Sequence, residues 1–113
     1  MNSFFSNKVV VITGGTDGIG KALVDEMIKA GAKVATCARN HDKLYNLQLE
    51  YTNVLLHTVA CDVSKENDCR RFIGSTIETF GGIDILINNA GVSMHALGAD
   101  ADIDVIRRVM DIN

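Results

Sequence analysis

Short, wholly apolar runs alternate along the chain with stretches whose apolar residues recur every three or four positions, a pattern that predicts strands and helices in turn. Residues 9–13 read as the first strand. Residues 18–30 read as a helix with Ala22, Leu23, Met27 and Ala30 facing inward, stopped by Gly31. Residues 34–38 form a second strand, and Asn40 is placed to cap a helix whose apolar face is Leu44, Leu47 and Tyr51. Residues 54–61 form the third strand. Ser64 is expected to cap the most strongly patterned helix, which carries Cys69, Phe72, Ile73, Ile77 and Phe80 and ends at Gly81-Gly82. A fourth strand follows at 83–88, then a loop at 89–99, and a last helix at 103–112 with Ile103, Ile106, Val109 and Met110.

Strands that are continuous apolar runs must be covered on both faces, so the pattern predicts a parallel sheet with helices on either side. Right-handed crossovers then give an α/β, doubly wound sheet of order 3-2-1-4, with a ligand crevice at the carboxyl ends of strands 1 and 4. No proline, linker, repeat or low-complexity segment interrupts the chain, which reads as one domain over residues 1–113.

The turns at that crevice hold the candidate chemistry. After strand 1 stands Thr13-Gly14-Gly15-Thr16-Asp17-Gly18-Ile19-Gly20. Backbone N–H groups of such a turn, with the partial positive charge of a helix N-terminus, make a socket for phosphate. The general G-x-G-x-x-G spacing is absent, because a third glycine counted from Gly18 and Gly20 would fall at Leu23; the pattern is G-x-x-x-G-x-G. A glycine turn of this kind can also do no more than join a strand to a helix. After strand 2, Ala38-Arg39-Asn40 lacks the acid that would bind the ribose 2′-hydroxyl of NAD; Arg39 is either solvated or a partner for the 2′-phosphate of NADP. After strand 3, Asp62 either complements a helix N-terminus or accepts from an adenine amino group. After strand 4, Asn88-Asn89-Ala90-Gly91 can form turn hydrogen bonds or lie beside a nicotinamide.

Composition narrows the classes. The chain of 113 residues is 47% hydrophobic, enough for a core, and its formal charge of −3 is scattered. No basic stripe recommends nucleic acid, no run is long enough to cross a bilayer, and no basic region precedes an apolar stretch at the N-terminus. Three cysteines without metal-site spacing suggest reduced, packed thiols and a cytoplasmic location. Of His41, His57 and His95, only His95, in the loop after Gly91, falls on the crevice side, where it either lines the substrate cleft or, the better fit, is a plain loop residue. Asp100, Asp102 and Asp104 fit helix-dipole complements better than metal ligands.

With the four turns in place, the sequence resembles the short-chain dehydrogenase/reductase family over essentially its whole length. The residues that carry the resemblance are Thr13 to Gly20, Cys61-Asp62-Val63, Asn88-Asn89-Ala90-Gly91 and Met110-Asp111-Ile112-Asn113. The resemblance implies a Rossmann-type, NADP(H)- or NAD(H)-dependent oxidoreductase acting on a small carbonyl or alcohol substrate, commonly a homo-oligomer. It implies that Gly14, Thr16, Gly18, Ile19 and Gly20, with Asp17 in the same turn, lie at the cofactor phosphates and ribose. Asp62 and Val63 would hold the adenine, Asn89 with Ala90 and Gly91 would sit by the inner ribose, and Asn113 would anchor a water of a proton relay. Arg39 matches the members that prefer NADP(H), although many of those carry a basic residue where this chain has Asp17.

Members of that family use a serine and a Tyr-x-x-x-Lys, in which the lysine lowers the tyrosine pKa. Neither tyrosine here begins such a motif: Tyr45 is followed at the lysine position by Leu49, and Tyr51 by Leu55. The chain is therefore expected to be the N-terminal, cofactor-binding half of such an enzyme, inactive alone, with an unprotected fourth strand and a sticky last helix. The alternative is a non-catalytic dinucleotide-binding or interaction module.

Overall fold

A computed structural model describes residues 3–52 and 55–89 of the chain. After a short 3-10 turn at Ser3–Phe5, the elements are β1 (Val9–Thr13), α1 (Gly18–Lys29), β2 (Lys33–Ala38), α2 (His41–Glu50), β3 (Leu56–Ala60), α3 (Glu66–Phe80) and β4 (Ile85–Ile87). The strands form one sheet of order β3-β2-β1-β4 with every pairing parallel, as expected. The loop at 90–99 and the helix at 103–112 lie outside the described residues.

Successive strand residues point to opposite faces, and each face has its own cover. Val9, Val11, Ala35, Cys37 and Leu86 pack with Cys69, Phe72 and Ile73 of α3. Val10, Ile12, Val34 and Ile85 pack with Val24 and Met27 of α1 and Leu47 of α2. All five residues of β1 are buried, which is why this strand reads as an uninterrupted apolar run. Phe72 is fully buried, and removing such a ring costs about 3–5 kcal/mol.

Two local expectations are corrected. On α1 the buried stripe is Gly20, Val24 and Met27, spaced four and three apart, with Leu23 half-buried; Ala22, a third of a turn away, faces solvent. Ser64 does not cap α3, which begins at Glu66 with Lys65 before it. The Ser64 hydroxyl and N–H instead both donate to Asp62 Oδ1, at 2.6 and 3.0 Å, a local turn that competes with capping. Glu66 and Asp68 supply the negative charge that the helix start favours. Asn40 does cap α2, accepting the Lys43 N–H at 3.0 Å. Gly31 and Gly81 end α1 and α3 with positive φ, as their positions predict.

Candidate functional site

The carboxyl ends of β1, β2 and β3 open onto a cleft of about 760 Å³. Gly14, Thr16 and Asp17 line it from the glycine turn, and Cys37, Ala38, Arg39 and Asn40 from the end of β2. Lys43 reaches it from α2, and Cys61, Asp62, Val63 and Ser64 from the turn after β3. Six of the residues singled out by sequence thus meet in one cleft: Gly14, Thr16, Asp17, Arg39, Asp62 and Val63. Gly18, Ile19 and Gly20 form the first turn of α1 beside it, with the Ile19 side chain 74% exposed. Asn89 lies on the other flank of the turn. Ala90, Gly91 and Asn113 lie outside the described residues.

The turn itself is fixed from three sides. Gly14 and Gly18 both take positive φ, 69° and 54°. The Gly14 N–H donates to the Cys37 carbonyl at 2.9 Å. The Gly15 N–H donates to the Thr36 hydroxyl at 3.0 Å, and that hydroxyl donates in turn to the Ile12 carbonyl. From β4, Asn89 Nδ2 donates to the Gly14 carbonyl at 3.2 Å, while the Thr13 hydroxyl donates to Asn88 Oδ1 at 3.2 Å. The start of α1 is pressed against the turn: a Cβ on Gly20 would lie 2.1 Å from the Gly14 carbonyl oxygen and 2.6 Å from Asn89 Nδ2.

Asp17 precedes α1 in extended conformation but makes no capping hydrogen bond with its side chain, and the first turn of α1 contains no acidic residue. Among the described residues, neither Asp17 nor the first turn of α1 brings a carboxylate to cap this helix end. The Asp17 carboxylate instead turns to Lys43, 2.8 Å away. Arg39 is exposed and makes no hydrogen bond or ion pair among the described residues. Asp62 is held below the usual carboxylate range by the Ser64 hydroxyl, then by the Ser64 N–H, with smaller contributions from Arg39 and Lys65. It enters the cleft as an ionised acceptor.

Cys37 and Cys61 line the cleft, and Cys69 packs beside them on α3; all three are free and buried. Burial pushes the Cys37 thiol up to about 11 and raises Cys61 and Cys69 as well. They are packed thiols with little thiolate to act as a nucleophile, and Cys69 Sγ donates to the Val63 carbonyl. Neither tyrosine lines the cleft. Tyr51 donates to Asp25 at 2.7 Å, and burial, then that hydrogen bond, push its pKa to about 12. Among the described residues no cluster of histidine, cysteine or carboxylate could hold a metal ion, and no helix is long and apolar enough to cross a membrane.

Sequence reasoning missed three contributors. Thr36 is a fully buried hydroxyl residue in an apolar strand, and a buried hydroxyl must find a partner; it finds Gly15 and Ile12. Gly15 lies outside the G-x-x-x-G-x-G pattern, yet a Cβ there would stand 2.2 Å from Thr36 Oγ1. Lys43 reads from sequence as an ordinary polar position on an amphipathic helix. Its place at the cleft depends on how α2 sits against the turn.

The fold agrees with known proteins. The profile of the short chain dehydrogenase family matches residues 8–113, and the chain belongs to this family. A farnesol dehydrogenase of Aedes aegypti is 38% identical over 114 residues, covering 96% of this chain and 46% of that protein. The crystal structure of L-sorbose reductase from Gluconobacter frateurii, complexed with NADPH and L-sorbose, matches with TM-score 0.72 and 38% identity, over 81% of this chain and 36% of that one. The 3-ketoacyl-(acyl-carrier-protein) reductase of Brucella melitensis, complexed with NADH, matches with TM-score 0.69 and 32% identity, over 73% of this chain and 33% of that one. The chain thus spans about a third to a half of the length of these relatives.

Proposed function

We propose that this chain forms the dinucleotide-binding part of an oxidoreductase that prefers NADP(H) and acts on a carbonyl or alcohol substrate. The observation that carries the reading is the uncapped start of α1, set against a glycine turn with no room for a side chain at Gly20. That cradle fits a pyrophosphate, which brings the negative charge the helix end lacks. Gly14, Thr16, Gly18, Ile19 and Gly20 would hold it. Asp62 and Val63 fit an adenine, since an ionised acceptor there suits an exocyclic amino group. Arg39 fits a 2′-phosphate, and no acid stands beside it at the end of β2 to accept from a 2′-hydroxyl. Asn89, fixed by Gly14, and the neighbouring Ala90 and Gly91 would flank the inner ribose.

The bound cofactor would supply the hydride. The residues described here bind and orient it, and the 113 residues contain no Tyr-x-x-x-Lys to move the accompanying proton. Asn113 is the one candidate for that relay. NADPH and NADH titrations followed by nicotinamide fluorescence test the reading. Selective binding of NADPH, weakened about tenfold or more by Arg39→Ala, is the expected result. Binding of neither dinucleotide to a folded sample overturns it, and equal binding of both overturns the NADP(H) preference.

A further inference from the structure

The family resemblance implies a basic residue, in many NADP(H)-preferring members, at the place in the turn where this chain has Asp17, and a carboxylate there taken alone would repel an extra phosphate. The structure supplies the missing charge from elsewhere. Lys43, in the first turn of α2, lines the same cleft as Arg39 and places its Nζ 2.8 Å from Asp17 Oδ2. Its backbone is fixed, because its N–H donates to the capping side chain of Asn40 at 3.0 Å. Lys21 of α1 is engaged instead with Glu50 at 3.0 Å.

We propose that Lys43 is a cofactor-specificity residue, which grips the 2′-phosphate together with Arg39 and leaves Asp17 to do so. This inference rests on the dinucleotide reading above. The Lys43 and Asp17 side chains are 51% and 67% exposed, and an exposed pair of this kind contributes little. Exchanging it for a phosphate group costs little and returns more. Such a group carries about −1.5 to −2 charges at neutral pH and offers three acceptor oxygens, where the carboxylate offers one charge. Asp17 then acts as a stand-in anion that holds Lys43 at the cleft mouth before the ligand arrives. It also opposes the ligand, so the two residues act with opposite sign on affinity.

The test is a set of NADPH and NADH titrations on the whole chain and its Lys43→Met, Lys43→Arg, Asp17→Asn and Arg39→Ala variants. Both side chains of the pair are exposed, so melting temperatures should stay close to the parent's. Lys43→Met is expected to weaken NADPH about tenfold and NADH by less than about twofold. Lys43→Arg should restore the NADPH affinity, and Asp17→Asn should tighten NADPH about threefold. The NADPH effect of Lys43 should shrink as salt rises. If both dinucleotides bind, Arg39→Ala lowers NADPH affinity and Lys43→Met moves neither ligand or both alike, the inference fails while the dinucleotide reading stands. If neither dinucleotide binds the unsubstituted chain, both fail together.

Discussion

The Thr36 hydroxyl accepts the Gly15 N–H at 3.0 Å and donates to the Ile12 carbonyl, so one side chain of β2 ties together the end of β1 and the turn that leaves it. Thr36 is fully buried. Replacing it with valine keeps the shape but strands a buried N–H and a buried carbonyl, at a cost of about 1–3 kcal/mol. Thr36→Val should lower the melting temperature by about 5–15 °C and weaken dinucleotide binding. Thr36→Ser, which keeps the hydroxyl, should recover most of the binding, as fluorescence titration of the two variants side by side will show.

Gly20 and Gly74 are both helical glycines with opposite expectations. An alanine at Gly20 would meet the Gly14 carbonyl oxygen at 2.1 Å, which only a backbone shift can relieve. Gly20→Ala should destabilise the fold by about 1–3 kcal/mol and abolish dinucleotide binding. Gly74 stands exposed in α3 with nothing within 4 Å of an added Cβ. Gly74→Ala should stabilise by about 0.5–1 kcal/mol without touching the cleft. Thermal melts of the pair check both signs.

His57 on β3 makes a 2.9 Å hydrogen bond with Ser75 and meets the Phe80 ring edge-on. Burial lowers its pKa below the ordinary 6.5. The unfolded chain therefore takes up the proton first, and the contribution of His57 to stability is present above that ordinary value. It is lost as the pH falls from there through the lower folded value. Measured from about pH 7 to about pH 5, the melting temperature of the parent should fall more than that of His57→Gln. A constant difference across that range would contradict the assignment.

The three thiols should be inert while the chain is folded. Cys37, Cys61 and Cys69 are buried, and each has a raised pKa, so little thiolate forms near neutrality. Iodoacetamide should leave them unmodified under native conditions and label all three in denaturant, as intact-mass measurement will report. Labelling of Cys37 or Cys61 in the folded chain would mean that the cleft floor opens.

The architecture was readable because β1 is a buried apolar run, β2 and β3 are short and mostly apolar, each strand is closed by turn residues, and parallel strands leave little freedom in how they alternate with helices. The cleft was readable for the same reason: Arg39 and Asp62 follow directly from strand ends that the sheet aligns. Ser64 misled because two local structures compete for one hydroxyl, and the Asp62 carboxylate takes it at 2.6 Å. Thr36 was passed over because a single hydroxyl does not disturb an apolar pattern, although its burial demands a partner across the sheet. Lys43 was passed over because its partner, Asp17, is 26 residues away on another element.

The ties between β1 with its turn and the segment around β4 share one property. Val9 to Asp84, Thr13 to Asn88 and Gly14 to Asn89 each join residues 75 apart in the chain. Closing a loop of that length costs about 4 kcal/mol of chain entropy before any contact offsets it. The glycine turn after β1 is thus completed only once the distant segment around β4 has joined it. A ribosome must deliver residue 89 before Gly14 gains its partner from Asn89. Until then the socket proposed for a dinucleotide is incomplete, and binding there can reward folding only after β4 has joined the sheet.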